Sequence, residues 1–225
     1  MTVTNWMSDN WIEIFGAVTG IIYVFLEVRQ NLWLWPVGIV TSAVYIWVFF
    51  TNKIYADMSL QGYYLVISCL GWYWWAKGRG HRAQGTGHRA GGGEQGAGSR
   101  EQRARSEGHG AKSTEREKLT VTRLKRKTGI VLTIVFSGLF SIVWFILSEW
   151  TDSPVPLWDS FITSLSVIAT WMLARKIYEH WYLWIIVNIV SVALFIVRGL
   201  YPTVVLYAIY CTMSFIGLRE WRRSI

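Results

Sequence analysis

Long apolar runs constrain what this 225-residue chain can fold into more than any other feature of its sequence. Several runs approach the roughly 20 residues that an α-helix needs to cross a lipid bilayer. The composition agrees, because 52% of the residues are apolar and fifteen are tryptophan. The sequence therefore predicts an all-α polytopic membrane protein with seven transmembrane helices. We expect them over residues 11–28, 33–51, 55–76, 129–148, 158–174, 181–198 and 202–218.

The charge of the chain is concentrated in one connection. Residues 77–128 hold fourteen Lys and Arg side chains and five Glu, whereas the formal net charge of the whole chain is +8. Residues 78–118 contain almost no large apolar side chain, so we expect a disordered cytoplasmic linker rather than a site for nucleic acid or anionic lipid. The other connections on the same side also carry most of the remaining cations. The positive-inside rule therefore predicts an N-terminus outside and a C-terminus in the cytoplasm.

An internal repeat divides the chain into two halves. One spacing occurs twice, in Tyr55, Tyr64, Gly71 and Trp75 and again in Tyr201, Tyr210, Gly217 and Trp221. The repeat predicts an N-terminal three-helix unit at 1–76, a linker helix at 129–148 and a C-terminal three-helix unit at 158–221. A single linker span makes the two units parallel. Transporters built from such repeats place their substrate at the repeat interface near the membrane midplane.

Polar and aromatic side chains inside the predicted spans mark the candidate binding site. Trp181, Trp184 and Asn188 stand at i, i+3 and i+7, so a helix places them on one face. Two indoles and an amide suit a flat ligand with a polar edge, although an interface anchor and an interhelical hydrogen bond are the alternative. Gln61 lies about six residues into the third span, and Tyr207 has the same offset in the second half. An amide there can form hydrogen bonds to a polyhydroxylated solute. The alternative is an interhelical hydrogen bond between the two halves of the protein.

The sequence lacks the patterns of the common enzyme and metal sites. No P-loop, zinc spacing or serine-nucleophile motif is present, and we expect no cofactor and no metal. His180, at a span entrance, is interpreted as an interface residue. Acids near span ends usually cap helices or face solvent, with proton or cation coupling as the alternative. The acids in question are Glu13, Glu27, Asp57 and Asp159. A transporter is therefore expected, rather than a membrane-embedded enzyme or a receptor.

The pattern Trp181-x-x-Trp184-x-x-x-Asn188 resembles the substrate motif of the PnuC family of bacterial vitamin transporters. Four other segments are similar to that family: Leu157-Trp158-Asp159-Ser160, Ala174-Arg175-Lys176, Tyr55-Ala56-Asp57 with Leu60-Gln61, and Gly71-Trp72-Tyr73-x-Trp75. The likeness covers residues 11–76 and 129–223. The long basic connection departs from the family pattern, in which this connection is shorter.

This resemblance implies a 3+1+3 helix arrangement similar to that of the SWEET sugar transporters, and a homotrimer in the bacterial inner membrane. It implies uptake of nicotinamide riboside by facilitated diffusion, with trapping by a cytoplasmic kinase. Thiamine, or another vitamin, is the alternative substrate. The two Trp and the Asn of the family motif correspond to Trp181, Trp184 and Asn188, and the Gln of the third helix corresponds to Gln61.

Overall fold

The protein is seen here as a computed structural model, which describes residues 11–51, 55–78, 119–151 and 154–225. Seven α-helices lie in these ranges: α1 (Trp11–Val28), α2 (Leu34–Thr51), α3 (Tyr55–Lys77), α4 (Arg126–Trp150), α5 (Pro156–Ala174), α6 (His180–Val197) and α7 (Tyr201–Arg222). The expected all-α fold with seven helices is confirmed. By length and composition, α2, α4, α5, α6 and α7 can each cross a membrane. The apolar part of α1 is shorter, at Ile14–Val28.

The helices pack as two equivalent units of three. In the first unit α2 packs against α1 and α3, and in the second α6 packs against α5 and α7. Between the units, α1 contacts α7 and α3 contacts α5. The first helix of each unit therefore meets the third helix of the other. This exchange is what a pseudo-twofold axis between two parallel repeats produces.

Helix α4 stands at the edge of the bundle. It packs against α5, and none of its residues is buried within the described part of the protein. It begins at Arg126 and ends at Trp150, a few residues beyond the expected span at both ends. Its outward surface is largely apolar, as expected of a helix that faces lipid on the side away from α5.

The first helix of each unit ends in the same way. Gln30 after α1 and Lys176 after α5 have positive φ angles of 51° and 52°. In each case the next amide reaches back to close the helix, from Asn31 to the carbonyl of Leu26 and from Ile177 to that of Met172, both at 2.9 Å. A left-handed residue at this position satisfies helix-end carbonyls that would lack a partner.

Four tryptophans seal one end of the bundle, and we call them the tryptophan cluster: Trp35, Trp75, Trp181 and Trp221. All four are buried. The rings of Trp35 and Trp75 are 5.4 Å apart, those of Trp181 and Trp221 5.8 Å apart, and those of Trp75 and Trp221 6.3 Å apart. The last contact joins the two units directly.

The cluster is held by matching contacts in the two units. Trp35 packs on Gly71 and Trp181 packs on Gly217 so closely that neither glycine could carry a Cβ without displacing the indole. Two indole N–H groups bond across the units. That of Trp75 donates to the carbonyl of Ala174 at 3.2 Å, and that of Trp221 to the carbonyl of Glu27 at 3.1 Å.

The segment before α4 is ordered. The amide of Thr122 donates to the carbonyl of Lys176, and the amide of Tyr178 donates to the carbonyl of Thr122, both at 2.9 Å. Leu119 and Val121 are buried in the core beside it. The C-terminal end of the predicted basic loop therefore packs on the α5–α6 connection, while residues 79–118 lie outside the described part of the chain.

Candidate functional site

A cavity of about 310 Å³ lies between the two three-helix units. This volume is near the lower end of the range of about 300–1,000 Å³ that is usual for small-molecule sites. All six helices of the two units contribute to its wall, and α4 does not. The cavity therefore occupies the repeat interface, where the sequence analysis expected a substrate.

The cavity brings together all five side chains that were selected from the sequence. Trp181, Trp184 and Asn188 line it from α6, Gln61 from α3 and Tyr207 from α7. The helical spacing of the three α6 residues explains why they share one face. The pairing of Gln61 with the second unit required the tertiary fold, since α3 and α6 belong to different units.

Asn188 is held so that one side of its amide stays available. The residue is 4% exposed, and its Nδ2 donates to the hydroxyl of Ser214 at 3.1 Å. That hydroxyl donates in turn to the carbonyl of Tyr210 at 2.8 Å. The amide oxygen of Asn188 makes no hydrogen bond to another described residue. It is therefore a buried acceptor on the cavity wall.

The two motif tryptophans have different surroundings. Trp181 is 1% exposed and belongs to the tryptophan cluster, so it forms a rigid part of the wall, whereas Trp184 is half-buried. The indole N–H of each is buried and has no hydrogen-bond partner among the described residues. An unpaired buried donor costs about 1–3 kcal/mol.

Gln61 from α3 and Tyr207 from α7 complete the wall. Tyr207 packs on Phe195, with ring centroids 5.2 Å apart and planes at 31°, and meets the edge of Tyr210 at 5.7 Å. Gln61 is partly exposed, and its side chain makes no hydrogen bond to another described residue. It can therefore donate to and accept from a ligand.

Glu27 and His180 are both buried. The expectation that Glu27 caps a helix or faces solvent was wrong, because its side chain is 2% exposed, and the side chain of His180 is 0% exposed. The Nδ1 of His180 lies 2.7 Å from the carbonyl of Ile177, so it carries a proton. The Nε2 lies 3.1 Å from Oε1 of Glu27. One proton must lie between these two atoms, because two lone pairs would repel at that distance.

The Glu27–His180 pair joins the two units beside the cavity. Glu27 is on α1 and also lines the cavity, and His180 begins α6. The histidine ring packs 4.7 Å from both Trp181 and Trp221. The pair therefore belongs to the same sealed end as the tryptophan cluster. Sequence reasoning missed it because the two residues are 153 positions apart and each stands near a helix end.

The other acids are placed differently. Asp159 lies 3.7 Å from Arg198, and both side chains are 30% exposed. This agrees with the expected solvated role for an acid near a helix end. The side chains of Glu13 and Asp57 lie outside the described part of the protein. No group of three or more His, Cys, Asp or Glu that could hold a metal ion occurs in that part.

Side chains that carry a hydroxyl make up much of the rest of the wall, although its surface is mainly apolar. They belong to Thr19, Tyr23, Thr41, Ser42, Tyr64, Ser68, Ser166, Thr170, Tyr207, Tyr210 and Ser214. Apart from Tyr207, sequence reasoning did not select them, because single hydroxyls in apolar helices commonly bond to their own backbone. One available signal was the internal repeat, which places Ser68 and Ser214 at the same offset. Such a wall suits a ligand that has one aromatic ring and several hydroxyls.

Known proteins match this chain over nearly its whole length. The model of a family described as nicotinamide mononucleotide transporter matches residues 10–223. The chain is 24% identical over 215 residues to the nicotinamide riboside transporter PnuC of Escherichia coli, covering 96% of this chain and 86% of that protein. It is also 24% identical over 227 residues to the riboflavin/roseoflavin transporter RibM of Streptomyces davaonensis, covering 96% and 92%.

A solved structure shares the fold. The crystal structure of the vitamin B3 transporter PnuC matches with a TM-score of 0.65 at 22% sequence identity. The match covers 98% of this chain and 84% of that one. The arrangement of two three-helix units and a linker helix is therefore that of a known transporter fold.

Proposed function

This chain belongs to the nicotinamide mononucleotide transporter family, and on that premise we propose that it takes up nicotinamide riboside across the bacterial inner membrane by facilitated diffusion. The observation that carries the proposal is the cavity between the units, which combines an indole face, two amides and several hydroxyl-bearing side chains on a mainly apolar wall. A cytoplasmic kinase would trap the product by phosphorylation. The chain itself is proposed to have no enzymatic activity.

The chemistry of the ligand fits the chemistry of the wall. Nicotinamide riboside has a cationic pyridinium ring, a carboxamide and a ribose. A cation over a desolvated indole face gains about 0.5–2 kcal/mol, and Trp184 is the half-buried indole that can offer such a face. The free amide oxygen of Asn188 can accept from the carboxamide, and Gln61 can read the ribose hydroxyls. The site needs no unpaired carboxylate.

The cations near one end of the bundle support an orientation of the chain in the membrane. Lys176 lies 4.2 Å from the ring of Trp75, a member of the tryptophan cluster, and Arg175 lies 4.7 Å from the ring of the adjacent Trp74, so both cations lie at this end of the bundle. By the positive-inside rule this end faces the cytoplasm, with the N-terminus outside. Release into the cytoplasm requires the two units to separate there. A homotrimer, which the family resemblance implies, is part of this proposal, and native mass spectrometry would test it.

Riboflavin is a second candidate, because the similarity to RibM matches that to PnuC of Escherichia coli in identity. Thiamine remains the alternative from the sequence motif. Isothermal titration calorimetry of the purified full-length chain in detergent, with each of the three vitamins, distinguishes them. Saturable binding of nicotinamide riboside alone supports the proposal. Binding of another vitamin alone contradicts the choice of solute.

Two variants test the site itself. Asn188→Ala removes the buried acceptor, and we expect binding of nicotinamide riboside to become undetectable while assembly is unchanged. Trp184→Ala removes the aromatic face and should weaken binding by at least tenfold. The matched control is Trp144→Ala, on the exposed surface of α4, which should bind as the wild type does. Normal binding by Asn188→Ala would refute the assignment.

A further inference from the structure

The two units correspond residue by residue when the second is shifted by 146 positions. Trp35 on Gly71 corresponds in this way to Trp181 on Gly217. The left-handed residues that follow the first helix of each unit, Gln30 and Lys176, are also 146 positions apart. Since both a ring contact and a backbone feature fit one register, the correspondence is structural and extends beyond the sequence repeat.

At this register, the face of α6 with Trp184 and Asn188 corresponds to a face of α2 that carries small residues. Gly38 of α2 corresponds to Trp184 of α6, and Ser42 corresponds to Asn188. All four residues line the cavity. One unit thus contributes an indole and an amide, and the other contributes a glycine and a serine at the same two positions.

Neighbouring side chains fill the space beside the backbone of Gly38. A Cβ at this position would lie 2.9 Å from the hydroxyl of Ser68 and 3.1 Å from the Tyr23 ring. Both of these side chains also line the cavity. Even a methyl group at position 38 must therefore displace the Ser68 hydroxyl and the Tyr23 ring. Such a displacement matters because the volume of the cavity is only about 310 Å³.

We infer that Gly38 and Ser42 determine the size of the ligand that the cavity accepts. The inference rests on the proposed function, because it takes the cavity as the substrate site. α6 supplies the groups that recognise the ligand, and Gly38 of α2 lets Ser68 and Tyr23 pack close to the helix, which leaves the cavity open for the ligand. The ligand class is then a nucleoside-sized molecule with one aromatic ring, and enlarging either residue of α2 excludes it.

The expected effect is large because the cavity is small. One methylene too many in a close-fitting apolar pocket changes discrimination by about 10–200-fold. We therefore expect Gly38→Ala to weaken binding of nicotinamide riboside by at least tenfold. Ser42→Asn, which gives α2 the residue that α6 carries at the corresponding position, should weaken it as much or more. Nicotinamide, which is the ring without the ribose, should lose less than threefold in Gly38→Ala.

Isothermal titration calorimetry on the full-length chain tests the inference, with nicotinamide measured by competition. The matched control is Gly138→Ala on α4, where a Cβ meets no atom within 4 Å, and its affinity should equal that of the wild type. Circular dichroism confirms that each variant is folded. Wild-type affinity for the riboside in both Gly38→Ala and Ser42→Asn overturns the inference, as does an equal loss for riboside and ring.

The same series separates this inference from the proposed function. A wild type that binds none of nicotinamide riboside, thiamine and riboflavin contradicts the proposed function. A wild type that binds one of them, with Gly38→Ala and Ser42→Asn both binding it equally well, contradicts only the role of α2.

Discussion

Replacing Gly217 with alanine tests whether Trp181 is part of the cavity wall. The new Cβ would lie inside the van der Waals radius of the Trp181 ring, so the indole has to move. Overpacking a tight core in this way costs typically about 1–3 kcal/mol. The corresponding change in the other unit is Gly71→Ala, which forces the same displacement on Trp35. Both substitutions also gain the same helix propensity, about 1 kcal/mol.

The two variants differ in what the displaced ring does. Trp181 lines the cavity, and Trp35 does not. We therefore expect both variants to lose similar stability, while only Gly217→Ala loses affinity for nicotinamide riboside. A loss of about 1.4 kcal/mol in binding free energy is tenfold in Kd, and we expect at least that.

Thermal unfolding in detergent gives the stability of each variant, and isothermal titration calorimetry gives its Kd. Comparing the two variants controls for the steric clash itself, because each places an alanine methyl group against a buried indole. An equal loss of affinity in both variants would show that binding responds to general destabilisation. If Gly217→Ala is less stable but keeps its affinity, Trp181 contributes to packing and not to ligand binding.

Three further changes test other contacts. His180→Leu should destabilise the protein by about 3–5 kcal/mol, because it leaves the buried Glu27 carboxyl group without its partner. Adding Glu27→Leu should restore most of that loss, and wild-type thermal stability of the single variant would contradict the contribution of the Glu27–His180 pair. Thr122→Pro removes the amide that bonds to Lys176 and should cost about 1–3 kcal/mol in chemical unfolding, whereas Thr120→Pro should be near neutral. Arg198→Ala breaks a half-exposed pair and should change stability by less than about 1 kcal/mol, so a larger effect would mean a stronger contact.

Local pattern predicted much of the fold. The helix bounds follow from apolar runs of membrane length, and α1 begins and ends where expected. α4 runs further than expected at its first turn, because Arg126 and Lys127 can continue a helix into the interfacial region, where long cations reach water. The face of α6 with Trp181, Trp184 and Asn188 needed only the helical period. These features depend on neighbours within one helix.

The remaining features depend on contacts between distant elements. The tight packing of Trp181 on Gly217 fixes its indole in the cavity wall, so the ring is not free to stack on a ligand. The spacing of residues along α6 could not indicate this contact. The Glu27–His180 pair forms because α1 and the start of α6 meet at the same end of the bundle. Gly38 is harder still to find from sequence, because its contribution is the absence of a side chain. It gains meaning only beside the corresponding residue of the other unit.

The peripheral position of α4 has an evolutionary consequence. Three membrane crossings reverse the direction of a chain, so a duplicated three-helix unit would insert upside down beside its copy. One extra crossing restores the direction, and α4 supplies it while burying none of its residues. The side of α4 that meets α5, with Leu132 and Phe136, is constrained by packing. Elsewhere along this helix, almost any apolar sequence of sufficient length could take its place, so its identity can drift while its length and hydrophobicity are kept.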